Sequence, residues 1–330
     1  MEKRQLGKTT LEMAPVIFGA WAIGGWMWGG SDVQETIAAI QASLDQGINT
    51  IDTAAIYGMG TSEELVAKAI EGRREQVLIA TKCGMRWDSK EGTDPWLSKD
   101  PQGKDVVIRK NSKPASIIQE CEQSLKRLKT DVIDLYQIHW ADTSTPIEDS
   151  WGTMVQLKQQ GKVRAIGVSN YNLEQLKRAH AVHPVDSLQP SYSLLQRDIE
   201  QEILPFCRAN GISILAYSPL ERGLLTGKVG LDRQFAQGDH RASSRTFAPE
   251  NRKRVLEALE KIKPIAERHR ATLSQVVIKC TINQPGITAA LVGARNAAQA
   301  KENALAASLP LTAEEQEFIA QVLHPGLLEL

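Results

Sequence analysis

Cysteine is scarce in this chain: Cys83, Cys121, Cys207 and Cys280 are the only four in 330 residues, far apart and with no CxxC pair. That excludes a disulfide framework and a thiolate zinc site, and the four read as reduced thiols. Net charge is lacking too, with Lys+Arg and Asp+Glu balanced at 39 each. No run of like charge is long enough for a polyanion-binding arm, so nucleic acid and membrane surfaces are not expected as partners. Nor does any window approach the roughly 20 apolar residues of a membrane span, and the polar start MEKRQLGKTT lacks the apolar stretch of a signal peptide. A cytoplasmic protein is expected. No metal is expected either: His180 and His183 are the only pair at ligand-like spacing, and Pro184 breaks the helix beside them, so both read as surface residues.

What is present is an ordinary globular composition, 42% hydrophobic and 24% charged, which argues against a disordered or fibrous chain. The length suits one large α/β barrel or two ordinary domains, and the patterning has to choose. Short apolar runs rich in β-branched residues recur at Val16 to Gly19, Asn49 to Ile51, Val77 to Ala80, Ile133 to Tyr136, Ala165 to Val168, Ser187 to Gln189, Ser213 to Ala216 and Ala289 to Val292. They have the character of buried parallel strands, and there are eight. Helical patterns lie between them, among them Ser31 to Gln46, Ser62 to Ile70, Pro114 to Leu128, Ile147 to Gln160 and Leu173 to His180. Gly47, Gly161 and Gly211 each follow a helical pattern where a left-handed C-cap is wanted. The expectation is a single domain spanning residues 1–330, an α/β fold of the (β/α)8 TIM-barrel class. A weak alternation over Lys3 to Met13, around Gly7-Lys8, suggests a hairpin closing the barrel bottom.

A doubly wound sheet would want a Gly-rich fingerprint in the first βα turn, but Gly19, Gly24 and Gly25 are wrongly spaced. Gly58-Met59-Gly60-Thr61-Ser62-Glu63 is a near-match with Glu63 at the third glycine position, and reads as a loop with Ser62 as N-cap. Three stretches exceed a normal connection: Gly84 to Lys113, Leu220 to Glu250 and the tail beyond Leu309. Long loops on the active face of a barrel usually shape the site.

Asp52 closes the second strand, Lys82 the third and His139 the fourth, while Tyr57 lies five residues past Asp52. All four therefore converge on one barrel mouth, where barrel enzymes keep their chemistry. Reduction of a carbonyl by hydride transfer needs a proton donor beside the oxygen, and a tyrosine, with a free pKa of about 10, needs help to serve at neutral pH. Lys82 is expected to lower the Tyr57 pKa, Asp52 to keep Lys82 charged and oriented, and His139 to position the carbonyl. Singly each residue has a bland explanation as a cap, a surface charge or a core histidine. Four polar residues at successive strand ends, each costly beside a core, favour the catalytic reading.

At this point Asn49-Thr50-Ile51-Asp52-Thr53-Ala54 with Tyr57-Gly58, Ala80-Thr81-Lys82, and Asp134-Leu135-Tyr136-Gln137-Ile138-His139-Trp140 resemble the aldo-keto reductases over nearly the whole chain. Gly161 to Asn170, Gln189, and Tyr217-Ser218-Pro219-Leu220 with Gly223-Leu224-Leu225-Thr226-Gly227-Lys228 extend the resemblance. It is most like the bacterial branch related to potassium-channel β subunits, some of whose members are described as methylglyoxal, glyceraldehyde or sugar aldehyde reductases. The resemblance implies an NADPH-dependent aldehyde reductase, with NADH as the second choice. It implies that Ser169, Asn170 and Gln189 hold the nicotinamide carboxamide, that Tyr217 stacks on its ring, and that Gly19, Ala20, Trp21 and Asp52 border the cofactor. Ser218, Pro219, Leu220, Lys228 and Arg241 would line the pyrophosphate. Gly293, Arg295, Gln299, Glu302 and Asn303 would form the adenosine segment, with Arg295 as a fork for a 2′-phosphate.

Trp21, Trp26, Trp28, Trp87, Trp96 and Trp140 lie in loops after the first, third and fourth strands. The expected substrate pocket is Trp21, Tyr57, Trp87, His139 and Trp140, suited to a small uncharged carbonyl compound unless Arg86 supplies a cation. Trp140-Ala141 replaces the Trp-Pro of many relatives, and Cys83, directly after Lys82, is a candidate to face the site. A nicotinamide-binding regulatory subunit with little turnover is the rival reading. The oligomeric state stays open.

Overall fold

The computed structural model describes residues 1–28 and 32–329. The strands among these residues are β1 (Arg4–Gln5), β2 (Glu12–Met13), β3 (Val16–Gly19), β4 (Thr50–Asp52), β5 (Leu78–Cys83), β6 (Met85–Arg86), β7 (Thr93–Lys99), β8 (Asp105–Lys110), β9 (Ile133–Ile138), β10 (Val163–Ser169), β11 (Ser187–Gln189), β12 (Ser213–Tyr217) and β13 (Ile287–Gly293). Its α-helices are α1 (Val33–Asp45), α2 (Thr61–Ala69), α3 (Pro114–Leu128), α4 (Ile147–Gln159), α5 (Leu173–Val182), α6 (Ile203–Asn210), α7 (Pro249–Arg268), α8 (Leu273–Ile282), α9 (Ala297–Leu305) and α10 (Ala313–Val322).

Eight of the strands close a parallel barrel in the order β3, β4, β5, β9, β10, β11, β12, β13 and back to β3. This is the (β/α)8 barrel expected from the eight apolar runs. The main core fills the space between the barrel and its helices, and a smaller one fills the barrel interior with Ile17, Ala80, Leu135, Ala165, Leu215 and Ala289. Antiparallel β1 and β2 form the expected hairpin, and their neighbours Leu6 and Met13 itself seal that interior from below. Asn49 belongs to this seal rather than to β4: its carboxamide accepts from Ala14 N–H and donates to Glu12 O, both at 2.8 Å.

Gly47, Gly161 and Gly211 all take positive φ after α1, α4 and α6, as the punctuation implies. The expected start of the first helix at Ser31 lies outside the described residues. Ser62 is not the N-cap of α2. That place falls to Gly60 at φ 98°, and the Ser62 hydroxyl turns inward to Thr53 Oγ1 and Ala20 O.

Two of the long connections differ from what was expected. Residues 84–113 are no plain loop, because β6, β8 and β7 form an antiparallel three-stranded sheet over the mouth. The tail past Leu309 does not shape the mouth: α10 packs Ile319 and Leu323 into a satellite core with α7 and α8. The connection after β12 runs through short 3-10 turns before α7.

Candidate active site

Strand parity sets the site. Along β5, Ala80 and Lys82 point into the barrel, while Cys83 points out into the helix-facing core. Lys82 therefore buries its ammonium at the mouth, where all three of its donors are used: Asp52 Oδ1 at 2.6 Å, Thr53 O at 2.8 Å and the Tyr57 hydroxyl at 3.4 Å. Asp52 Oδ2 accepts from Gln189 Nε2 at 2.8 Å and from Gln137 Nε2 at 3.4 Å. Tyr57 comes from the turn after β4, and its ring meets the His139 imidazole edge-on at 5.7 Å. His139 follows β9 directly, anchored by its backbone N–H to Cys83 O and by its carbonyl, which accepts from Asn170 Nδ2.

Burial dominates the electrostatics here. It pushes the Tyr57 phenol well above its ordinary value, and the Asp52 charge adds to the effect. That is opposite to the lowering expected from Lys82, because Asp52 answers the ammonium at 2.6 Å and leaves the phenol to feel the desolvation. Burial also lowers Lys82, with Asp52 opposing the shift. His139 is pushed well below the usual histidine range by burial and by the nearby Lys82. At neutral pH the phenol is thus a protonated acid and the imidazole a neutral hydrogen-bonding group.

A cavity of about 850 Å³ opens from these residues. Gly19, Trp21, Asp52, Tyr57, His139, Trp140, Ser169, Asn170, Gln189, Tyr217, Ser218, Pro219, Leu220, Lys228, Arg241, Gly293, Arg295, Gln299, Glu302 and Asn303 all line it. The structure thus gathers most of the expected residues around one space. Ala20 is not among them: its N–H donates to Asp52 O and its carbonyl accepts from Ser62, so it is buried behind the wall. Trp87 is also missing from the lining, because its ring lies 6.0 Å from the Arg127 guanidinium and packs beneath the 84–113 sheet. Cys83 faces away, with burial pushing its thiol well above the ordinary value. Arg86 is held by Asp88, Ser116 and Gln119 outside the cavity.

The donor set suits a dinucleotide. At the Tyr57 end, Asn170 Oδ1 accepts from the Tyr217 hydroxyl at 2.8 Å and Ser169 Oγ donates to Gln189 O, fixing both rims. Asn170 and Ser218 hold positive φ of 58° and 59°, strained for residues with a Cβ. At the far end, Arg241 and Arg295 flank the Trp28 ring at 4.9 and 5.7 Å. Arg241 is held by Asp239 and Lys228 by Glu302. Arg295 has no carboxylate at ion-pair distance among the described residues; its fork reaches only Trp28 O, at 3.0 Å. Desolvation and the neighbouring Arg241 both push it below the usual arginine range, the condition an anion would relieve.

Several residues in or beside the cavity were not singled out for the site in the sequence. Gln137 steadies Asp52 from within a strand. His240 sits between Trp21 and Trp28, at 5.0 and 4.9 Å, and its backbone N–H and Nδ1 both lie within hydrogen-bond distance of Met27 O, so the loop after β12 clasps the loop after β3. Met85 and Lys110 come from the 84–113 sheet and line the cavity beside Trp96, which was already among the expected loop tryptophans. The DLYQIHW run is the one that could have yielded Gln137, since it lies two residues before His139 on the same strand face.

The model of the aldo/keto reductase family matches residues 15–324. Aldo-keto reductase YhdN of Bacillus subtilis (strain 168) is 39% identical over 327 residues, covering 98% of this chain and 94% of the relative. The NADH-specific methylglyoxal reductase of Escherichia coli (strain K12) is 37% identical over 318 residues, covering 94% and 95%. Among solved structures, glycerol dehydrogenase AKR11B4 from Gluconobacter oxydans superposes with a TM-score of 0.85 at 36% identity, covering 97% of this chain and 94% of that one.

Proposed function

This chain belongs to the aldo/keto reductase family, whose oxidoreductases act on carbonyl compounds, and we propose that it reduces small aldehydes and ketones to alcohols with Tyr57 as the acid. We further propose that residues 1–330 act as one domain and that NADPH is preferred, with NADH as the weaker alternative. A bound nicotinamide cofactor supplies the hydride; everything else falls to the chain. His139, neutral and hydrogen-bonded to no other side chain among the described residues, donates to the carbonyl oxygen and fixes its direction. Tyr57 gives that oxygen its hydroxyl proton, completing the alcohol. The Lys82 ammonium, 3.4 Å from the phenol oxygen, faces the negative charge left behind, and Asp52 holds that ammonium in place.

The observation that carries this reading is the Tyr57 hydroxyl at the end of a fully bonded Asp52–Lys82 pair, opening on the same cavity as His139. For the cofactor, support rests on Arg295, a guanidinium without a carboxylate partner among the described residues. The relative from Escherichia coli is NADH-specific, so the two cofactors have to be compared directly. The test is oxidation of NADPH and of NADH with methylglyoxal and short aldehydes, by the natural chain and by Tyr57→Phe. The variant is expected to lose roughly 10²- to 10⁴-fold in kcat, the usual contribution of a positioned acid, while still binding cofactor. Undiminished turnover in Tyr57→Phe would remove the assigned role, and a higher kcat/KM with NADH would reverse the cofactor preference.

A further inference from the structure

The small sheet over the mouth carries one charge where its surroundings are apolar. On its inner face Met85 of β6 pairs with Lys110 of β8, and Ile108 pairs with Trp96 of β7. Met85 and Ile108 are buried in a cluster with Trp26 and Ile56, with Trp96 against it. Lys110 lines the cavity, its Nζ 5.4 Å from the centroid of the Trp140 ring. Trp140 directly follows His139, so the ammonium stands one indole away from the residue assigned to the carbonyl. Its only ion-pair partner among the described residues is Asp94, at 2.9 Å, whose side chain is 54% exposed against 23% for that of Lys110. An ion pair with so open a partner is weak and readily exchanged. Asp94 sits at the register shift in β7 with φ 46°, so backbone geometry, rather than burial, brings it to Lys110.

From this arrangement we propose that Lys110 recognises the far end of the substrate, and that the preferred aldehydes carry a terminal anionic group, carboxylate or phosphate. This rests on the reductase reading and deepens it. With the carbonyl at Tyr57 and His139, the chain of the substrate runs along Trp140 and Trp96, and its anion displaces Asp94 from Lys110. A charge-assisted hydrogen bond is stronger than a neutral one, and the Trp140 ring beside the ammonium orients it along the cavity. The sequence pointed to a small uncharged carbonyl compound unless Arg86 supplied a cation; Arg86 is held by Asp88, Ser116 and Gln119, and the proposal gives that place to Lys110.

The test compares kcat/KM for succinic semialdehyde and pentanal, and for glyceraldehyde 3-phosphate and glyceraldehyde, so that carboxylate and phosphate are read separately. The acid-to-neutral ratio is expected to exceed unity and to fall about 10-fold or more in Lys110→Met, as loss of a hydrogen bond to a charged group implies. It should survive in Lys110→Arg and rise in Asp94→Asn, which frees the ammonium. A ratio at or below unity in both pairs, or an equal ratio in the natural chain and Lys110→Met, overturns the proposal. If none of the four aldehydes turns over while methylglyoxal does, this proposal falls alone; if methylglyoxal fails as well, the reductase reading falls with it.

Discussion

Asp52 shows how much of the site depends on one carboxylate. One oxygen faces Lys82 and the other faces the carboxamides of Gln189 and Gln137. An asparagine there must point its own NH2 at one donor or the other, and it leaves Lys82 buried without a counter-charge. Removing one member of a buried pair costs about 3–5 kcal/mol. Asp52→Asn is therefore expected to lower Tm by several degrees together with kcat, whereas Tyr57→Phe lowers kcat with Tm held. Calorimetry alongside kinetics separates the two, and an unchanged Tm in Asp52→Asn would show that the pair contributes nothing to the fold. Asp52, Lys82 and His139 stood out in the sequence because polar residues closing successive apolar runs fall together at one end of a barrel. The direction of the Tyr57 shift was not, since it depends on how completely Asp52 answers Lys82, and that is a matter of ångströms.

The connection after β5 tests what an element does for its neighbour. Gly84 turns out of β5 at φ 89°, and its N–H donates to both oxygens of Glu120 on α3, at 3.2 and 3.1 Å, so the helix holds the end of the strand that carries Lys82. Burial pushes the Glu120 carboxyl from 4.5 up to about 8, against the pull of Arg86. A folded value above the unfolded one means the folded chain binds the extra proton. That stabilisation is complete below about pH 4.5 and is lost as the pH rises through about 8. Glu120→Gln keeps a carbonyl acceptor for Gly84 and removes the titration. Its Tm should exceed that of the natural chain at pH 8 and approach it towards pH 5; parallel curves over that range would show that Glu120 does not titrate there. None of this sheet and strut was legible. The stretch Thr93–Lys99 contains Pro95 and alternates only partly, and its pairing with β8 is set by contacts too distant to read in a short window. Cys83 was legible in principle, since strand parity sends it outward once Lys82 points in.

Across the whole barrel, the candidate site and the closure lie at opposite ends. The tetrad, the cavity and the small sheet gather at the C-terminal ends of the strands, while β1, β2 and Asn49 seal the other end. The eight runs and three glycine caps were enough to give this architecture, because parallel strands buried on both faces leave near-continuous apolar stretches. The satellite core of α7, α8 and α10 was not, since its helices differ from barrel helices only in what they pack against. The separation of the two ends makes a definite demand. Leu6, 1% exposed, fills the bottom of the interior against Met13, Ile17, Leu135 and Leu215. Leu6→Ala leaves a void there, a change that costs about 2–5 kcal/mol in well-packed cores. Tm is expected to fall by several degrees while kcat with a good aldehyde stays within about twofold, because barrel stability resides at the end away from the catalytic loops. If kcat drops while Tm holds, the seal acts on the mouth through the strands, and the two ends are coupled rather than independent.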